Sequence, residues 1–183
     1  LSMNPNTVVL GMFLDLVCGT AIVGIACMLF PMLKLFSERI ATWYLALRAI
    51  EFVTIIISCI ALLSLLSISG EYALASGTEA SSMHTVAKAV LKGRAWTQNM
   101  TITAFSLGAF MFYALLYTSR LVPRFISIWG MAGVVLAMVE IVSSTFGVHM
   151  GILIYMPMGL NEIFLGIWFI VKGLNESPIK ALR

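Results

Sequence analysis

VVLGMFLDLVCGTAIVGIACMLF, running from Val8 to Phe30, holds one charged residue, Asp15, in a length that suits a membrane crossing. A helix of about 20 mostly apolar residues spans the hydrocarbon core of a bilayer, because each residue rises about 1.5 Å. This run therefore predicts a transmembrane helix. Asn4 to Thr7 supply cap-type residues before it, and Pro31 and Lys34 close it.

The pattern recurs along the chain. Further spans are predicted from about Ile40 to Ser67, Trp96 to Tyr117, Phe125 to Phe146 and Met150 to Val171. The composition agrees. Of 183 residues, 61% are hydrophobic and 10% are charged, with a mean hydropathy of +1.02. Soluble domains carry about 25% charged residues, so this chain cannot cover a water-facing surface and has to be solvated by lipid. The reading is an all-α, polytopic transmembrane bundle: five spans in one domain, residues 1–183. The chain starts at Leu1 and not at a Met, so residues ahead of it are expected; a helix among them would give six spans.

The connections differ in kind. Leu33 to Arg39 and Ser119 to Arg124 are short and basic, whereas Gly147 to His149 is a tight turn without Lys or Arg. Glu71 to Arg94 is the one sizeable stretch outside the spans. In its second half Met83, Val86, Ala87, Val90 and Leu91 follow helical spacing, with Lys88 and Lys92 on the other face. That pattern predicts an amphipathic helix from about Ser82 to Gly93 at the membrane surface. Basic residues set orientation. Lys34, Arg39, Arg120, Arg124, Lys172, Lys180 and Arg183 fall on one side and only Lys88, Lys92 and Arg94 on the other, which predicts a cytoplasmic C-terminus.

Five ionisable residues fall inside the predicted spans: Asp15, Arg48, Glu51, Glu140 and Glu162. Facing lipid at mid-membrane, they would together cost about 12–18 kcal/mol. They are expected to face the bundle interior, water or the interface. Asp15 shares a helical face with Gly11 and Gly19, Glu140 with Gly133 and Ala137, and Glu162 with Gly159 and Gly166. Small residues at that spacing mark close helix packing. The alternative is that these carboxyls only tie helices together through hydrogen bonds. Arg48 and Glu51, three apart, share a face with Tyr44, Ile55 and Ser58. They pair with each other, or Arg48 holds a carboxylate on another helix or a ligand anion. Glu51 and Glu162 are the neighbours expected for Arg48.

The fifth span reads IYMPMGLNEIFLGIW from Ile154 to Trp168. Pro157 removes a backbone donor and Gly159 loosens the same place, so a break is expected just before Asn161 and Glu162. Broken membrane helices free carbonyls and build ion and solute sites. A simple proline kink is the competing reading. Arg48, Glu51, Asn161, Glu162, Asp15 and Glu140 form the candidate mid-membrane binding site.

Other chemistry is poorly represented. Cys18, Cys27 and Cys59 lie in apolar segments and read as small hydrophobes. His84 and His149 each adjoin a methionine, but their spacing matches no metal motif. No nucleophile elbow, Walker loop, dinucleotide fingerprint or HExxH is present. No metal, cofactor or catalytic residue is assigned, and no basic stripe suggests nucleic acid.

Two stretches carry a resemblance. They are FSLGAFMFYALLYTSRLVPRFISIWGMAGVVL, Phe105 to Leu136, and PMGLNEIFLGIWFIVKGLN, Pro157 to Asn175. With the Arg48–Glu51 pair in ALRAIEF, they resemble a bacterial family of multi-pass membrane proteins, domain of unknown function 4386; SRLVPRFISIWG is the most specific part. The resemblance implies a six-helix bundle in a bacterial cytoplasmic (inner) membrane and brings no activity with it. Two functions follow from the residues. One is a small-solute or proton-linked transporter, or a sensor, built on the polar site. The other is a non-catalytic accessory subunit of a larger membrane complex. An intramembrane enzyme acting on lipid is the least favoured. Membrane lipid is the expected surrounding partner, with a homo-oligomer or partner subunits as further possibilities.

Overall fold

The computed structural model describes residues 5–72, 76–175 and 177–180, and every element among them is helical. Helix α1 runs Pro5–Leu33, α2 Glu38–Tyr72, α3 Gly77–Ser119 and α4 Arg124–Thr145. A 3-10 turn, Ile152–Tyr155, leads into α5, Met156–Val171, and a short α6 covers Ser177–Lys180. Five of these segments are long and apolar enough to cross a membrane, the fifth combining the 3-10 turn with α5. Asn4 and Arg183, which entered the helix-start and charge-bias readings, lie outside the described residues.

The outward surfaces are those of a lipid-solvated protein. Ile170, Ile152 and Met28 are each at least 80% exposed, and Leu, Val and Phe side chains cover much of the remaining outer face. In water such a surface would drive association.

The chain packs as two compact units, Leu1–Gly24 with Ala49–Thr101, and Ile25–Arg48 with Ile102–Arg183. In the first unit, Gly19 of α1 lies so close to the Phe52 ring of α2 that no side chain fits. Thr101 on α3 donates to the Thr54 hydroxyl on α2 at 2.8 Å. The second unit holds the main apolar core, in which Ala26, Leu33, Ala41, Phe112, Leu116, Ile126, Val134 and Leu165 are buried. Its α4 and α5 meet at Gly133, where a methyl group would sit 2.8 Å from the Met158 Cα.

Two elements differ from the sequence expectation. The stretch Ser82–Gly93 is helical, with Lys88 and Lys92 exposed, but the expected apolar face is covered only in part: Ala87 is buried and Met83 and Val90 are half-buried, whereas Val86 and Leu91 are exposed. It does not stand apart, however, but forms the first half of the unbroken 43-residue α3. Gly93 costs only about 1 kcal/mol in a helix, and the good helix formers around it carry the helix through. At about 65 Å, α3 is twice as long as the hydrocarbon core is thick.

The second difference is α5. No break precedes Asn161: α5 is regular from Met156, with Pro157 in its first turn. A proline there costs little, because its missing N–H would have no intrahelical partner anyway. The irregularity lies one step earlier, where the 3-10 turn passes into the α-helix at Tyr155–Met156.

Candidate functional site

The second unit encloses a band of polar side chains. On α2, Tyr44 and Arg48 are one helical turn apart and both buried. The Arg48 guanidinium lies 4.8 Å from the Phe105 ring centre and 5.3 Å from that of Tyr44. Aromatic faces attract a cation electrostatically, and more strongly once water is excluded. Tyr44 stacks on Phe112 of α3 at 4.8 Å, and Phe112 leans on Tyr113 at 5.8 Å. An aromatic ladder thus leads from Arg48 to Tyr113.

Tyr113 reaches α4 because α4 has a glycine there. A methyl group at Gly130 would lie 2.5 Å from the Tyr113 ring, so the ring occupies the space a side chain would need. One turn before Gly130, the Ile126 carbonyl accepts a hydrogen bond from Asn161 Nδ2 of α5 at 3.0 Å. Tyr113, Ser127 and Asn161 are therefore gathered where α3, α4 and α5 approach.

This band is incompletely satisfied. Ser106 Oγ, Ser127 Oγ and Asn161 Oδ1 are buried without a hydrogen-bond partner among the described residues. All three residues are fully enclosed, at 0% exposure. A buried polar atom left unsatisfied costs about 1–3 kcal/mol. The three are not one cluster: Ser106 precedes Tyr113 by two turns, about 10 Å along α3, and belongs to the level of Phe105 and Arg48. The arrangement offers two hydroxyls and an amide oxygen in an apolar interior, with a cation at one end.

The structure divides the six residues singled out from sequence. Arg48 and Asn161 lie inside the second unit. Glu162 follows Asn161 but is exposed, since the next residue on a helix turns away. The glycines sharing its face, Gly159 and Gly166, have nothing within 4 Å of the point where a methyl group would sit. Glu140 is buried and accepts the Met150 N–H at 2.9 Å, which fastens the turn after α4 to the helix. Glu51 is buried in the first unit. None of Arg48, Glu51 and Glu162 is an isolated charge.

Asp15 also belongs to the first unit. It is exposed and lines a cleft of about 370 Å³ with Arg94, between walls that include Leu62, Leu65 and Leu66. Among the described residues no three His, Cys, Asp or Glu side chains gather as metal ligands would.

Tyr113, Ser106 and Ser127 are site residues that a search for ionisable groups passes over. A signal was available, since Ser106 and Tyr113 are seven apart and share one face of α3. Gly130, which makes room for Tyr113, is three residues after Ser127.

Residues 1–173 match the family described as Domain of unknown function (DUF4386). No curated protein matches the chain, and no solved structure does.

Proposed function

The chain belongs to the DUF4386 family, and from that premise we propose that it is a membrane protein that binds a small polar solute within its second unit, as a transporter or a sensor. One observation carries this reading: Ser106, Ser127 and Asn161 each keep an oxygen inside an apolar interior with no partner among the described residues. Native interiors rarely retain such atoms without water, a ligand or a functional reason. A solute offering hydrogen-bond donors would satisfy Asn161 and the Ser127 hydroxyl where α3, α4 and α5 approach, with Ser106 lying nearer Arg48. Arg48 supplies a cation toward which an electronegative group would orient. Glu162, which follows Asn161 on α5, is the titratable group through which proton movement would be linked.

The test begins with gentle purification and mass spectrometry of retained small molecules. Wild type should hold a polar solute that Asn161→Leu has lost while remaining folded. In proteoliposomes carrying an internal pH-sensitive dye, Glu162→Gln should abolish any solute-driven proton flux. If wild type holds no solute and moves no protons, the reading fails.

A second reading, an accessory subunit or homo-oligomer, has its own support. Gly159 and Gly166 leave one face of α5 open, with Glu162 exposed on it. Small residues in this arrangement suit close approach of another membrane helix, and such a helix would take Glu162 out of lipid. Cross-linking through a cysteine placed at Gly166 would trap that neighbour. On the basic bias between the two sides, we also place the C-terminus in the cytoplasm of a bacterial inner-membrane protein. A C-terminal reporter active only outside the cell would refute that placement.

A further inference from the structure

The run SRLVPR and the run WFIVKGLN lie in the two stretches that carry the family resemblance, yet neither contributes to the polar band described above. Within the second unit they come together. The end of α3, the start of α4 and the end of α5 frame an open cleft of about 570 Å³, lined by Arg120, Arg124, Lys172 and Trp168 among others. Its lining includes three cations and, among the described residues, no acid.

The cleft is built rather than incidental. Arg120 adopts the left-handed backbone conformation at φ 55, and Gly173 does so at φ 69. Asn175 holds the two segments together: its N–H donates to the Leu121 carbonyl at 2.9 Å and its Nδ2 to the Arg120 carbonyl at 3.5 Å. Arg124 is steadied by the Tyr117 ring, 5.1 Å from its guanidinium. Arg124 also begins α4, whose cap residue, Pro123, makes no side-chain cap hydrogen bond. The positive end of a 22-residue helix thus adds to the three side-chain charges.

We propose that this cleft binds the phosphate headgroup of an anionic phospholipid from the adjoining leaflet. Charge decides the headgroup: three cations and a helix N-terminus, with no acid in the lining among the described residues, favour a phosphate that carries net negative charge over a zwitterion. Position decides the source. The cleft lies at the ends of three helices apolar enough to span a membrane. Trp168, an aromatic suited to the membrane interface, is part of its lining. Next to Lys172, Val171 and Ile170 are among the most exposed apolar side chains of the molecule, so acyl chains would lie against α5 while the phosphate reaches the basic groups. Basic pockets between membrane helices are suited to such headgroups.

The test uses the whole chain in detergent, incubated with phosphatidylglycerol or phosphatidylcholine, with retained lipid counted by native mass spectrometry. Wild type should retain phosphatidylglycerol selectively. Arg124→Gln combined with Lys172→Gln should weaken that retention roughly twenty-five-fold, at about fivefold per charge removed. Arg124→Lys with Lys172→Arg should preserve most of it. Lys88→Gln with Lys92→Gln, which removes two cations that are also exposed but lie elsewhere, should leave it unchanged. Equal retention of the two lipids, or equal loss in the Lys88/Lys92 control, would overturn the proposal. Displacement of phosphatidylglycerol by inorganic phosphate at comparable concentration would also overturn it, because the site would then serve a soluble phosphate.

Discussion

Helices α4 and α5 carry nearly the same pattern and use it in opposite ways. On α4, Gly130, Gly133, Ala137 and Glu140 are all buried. A methyl group at Gly133 would meet the Met158 backbone, and one at Gly130 the Tyr113 ring. On α5, Gly159 and Gly166 face open space and Glu162 is exposed, while Asn161 and Leu165 turn inward. Spacing tells which residues share a face of a helix. It does not tell which face is inward. That is decided by what the neighbouring helices bring: Tyr113 and Met158 need the room α4's glycines leave, and the Ile126 carbonyl offers Asn161 an acceptor.

The contrast can be broken most severely at Gly133. Gly133→Ala places a methyl group against the backbone of α5 and should destabilise the protein by about 1–3 kcal/mol, read as a lower unfolding temperature in detergent. Gly130→Ala should cost about 1–2 kcal/mol, since a ring yields more readily than backbone, and it should also weaken solute retention by displacing Tyr113. Glu140→Ala removes the acceptor for the Met150 N–H and should cost about 1 kcal/mol, with faster proteolysis between α4 and the 3-10 turn. On α5 the same type of change should be harmless. Gly159→Ala and Gly166→Ala should change stability by no more than about 0.5–1 kcal/mol, in the stabilising direction, because alanine loses less entropy than glycine in a helix. A large loss at Gly166 would mean that its face is covered by another helix, and would favour the subunit reading.

Much of the architecture was legible before the structure. Five apolar runs give the five spans, and Gly147 and Gly151, both at positive φ, accommodate the turn between α4 and the 3-10 segment. What spacing could not fix was continuity. The change at Gly93 from an amphipathic to an apolar pattern marks a change of environment, and α3 passes through it without a break. Pro157 posed the reverse problem. Its position within the apolar run suggests an interior break, but the helix proper begins only at Met156, where a proline is at home.

The candidate site was less legible. Attention to charge finds Arg48 and also collects Asp15 and Glu140, which have separate local settings: a cleft with Arg94, and a backbone N–H. The quieter residues Ser106, Ser127 and Tyr113 carry no charge, and their burial depends on contacts between helices distant in sequence. Asn161 stood out only through its neighbours Pro157 and Glu162.

On the proposed function, the second unit keeps unsatisfied polar atoms for a ligand and gives up stability to do so. Thermal unfolding of Ser106→Ala combined with Ser127→Ala, measured beside wild type without added ligand, tests it most directly. Each buried hydroxyl without a partner costs about 1–3 kcal/mol, so the double variant should unfold at the same temperature as wild type or a higher one. A loss of about 2 kcal/mol or more would mean that the hydroxyls hold the fold together, and would contradict the account.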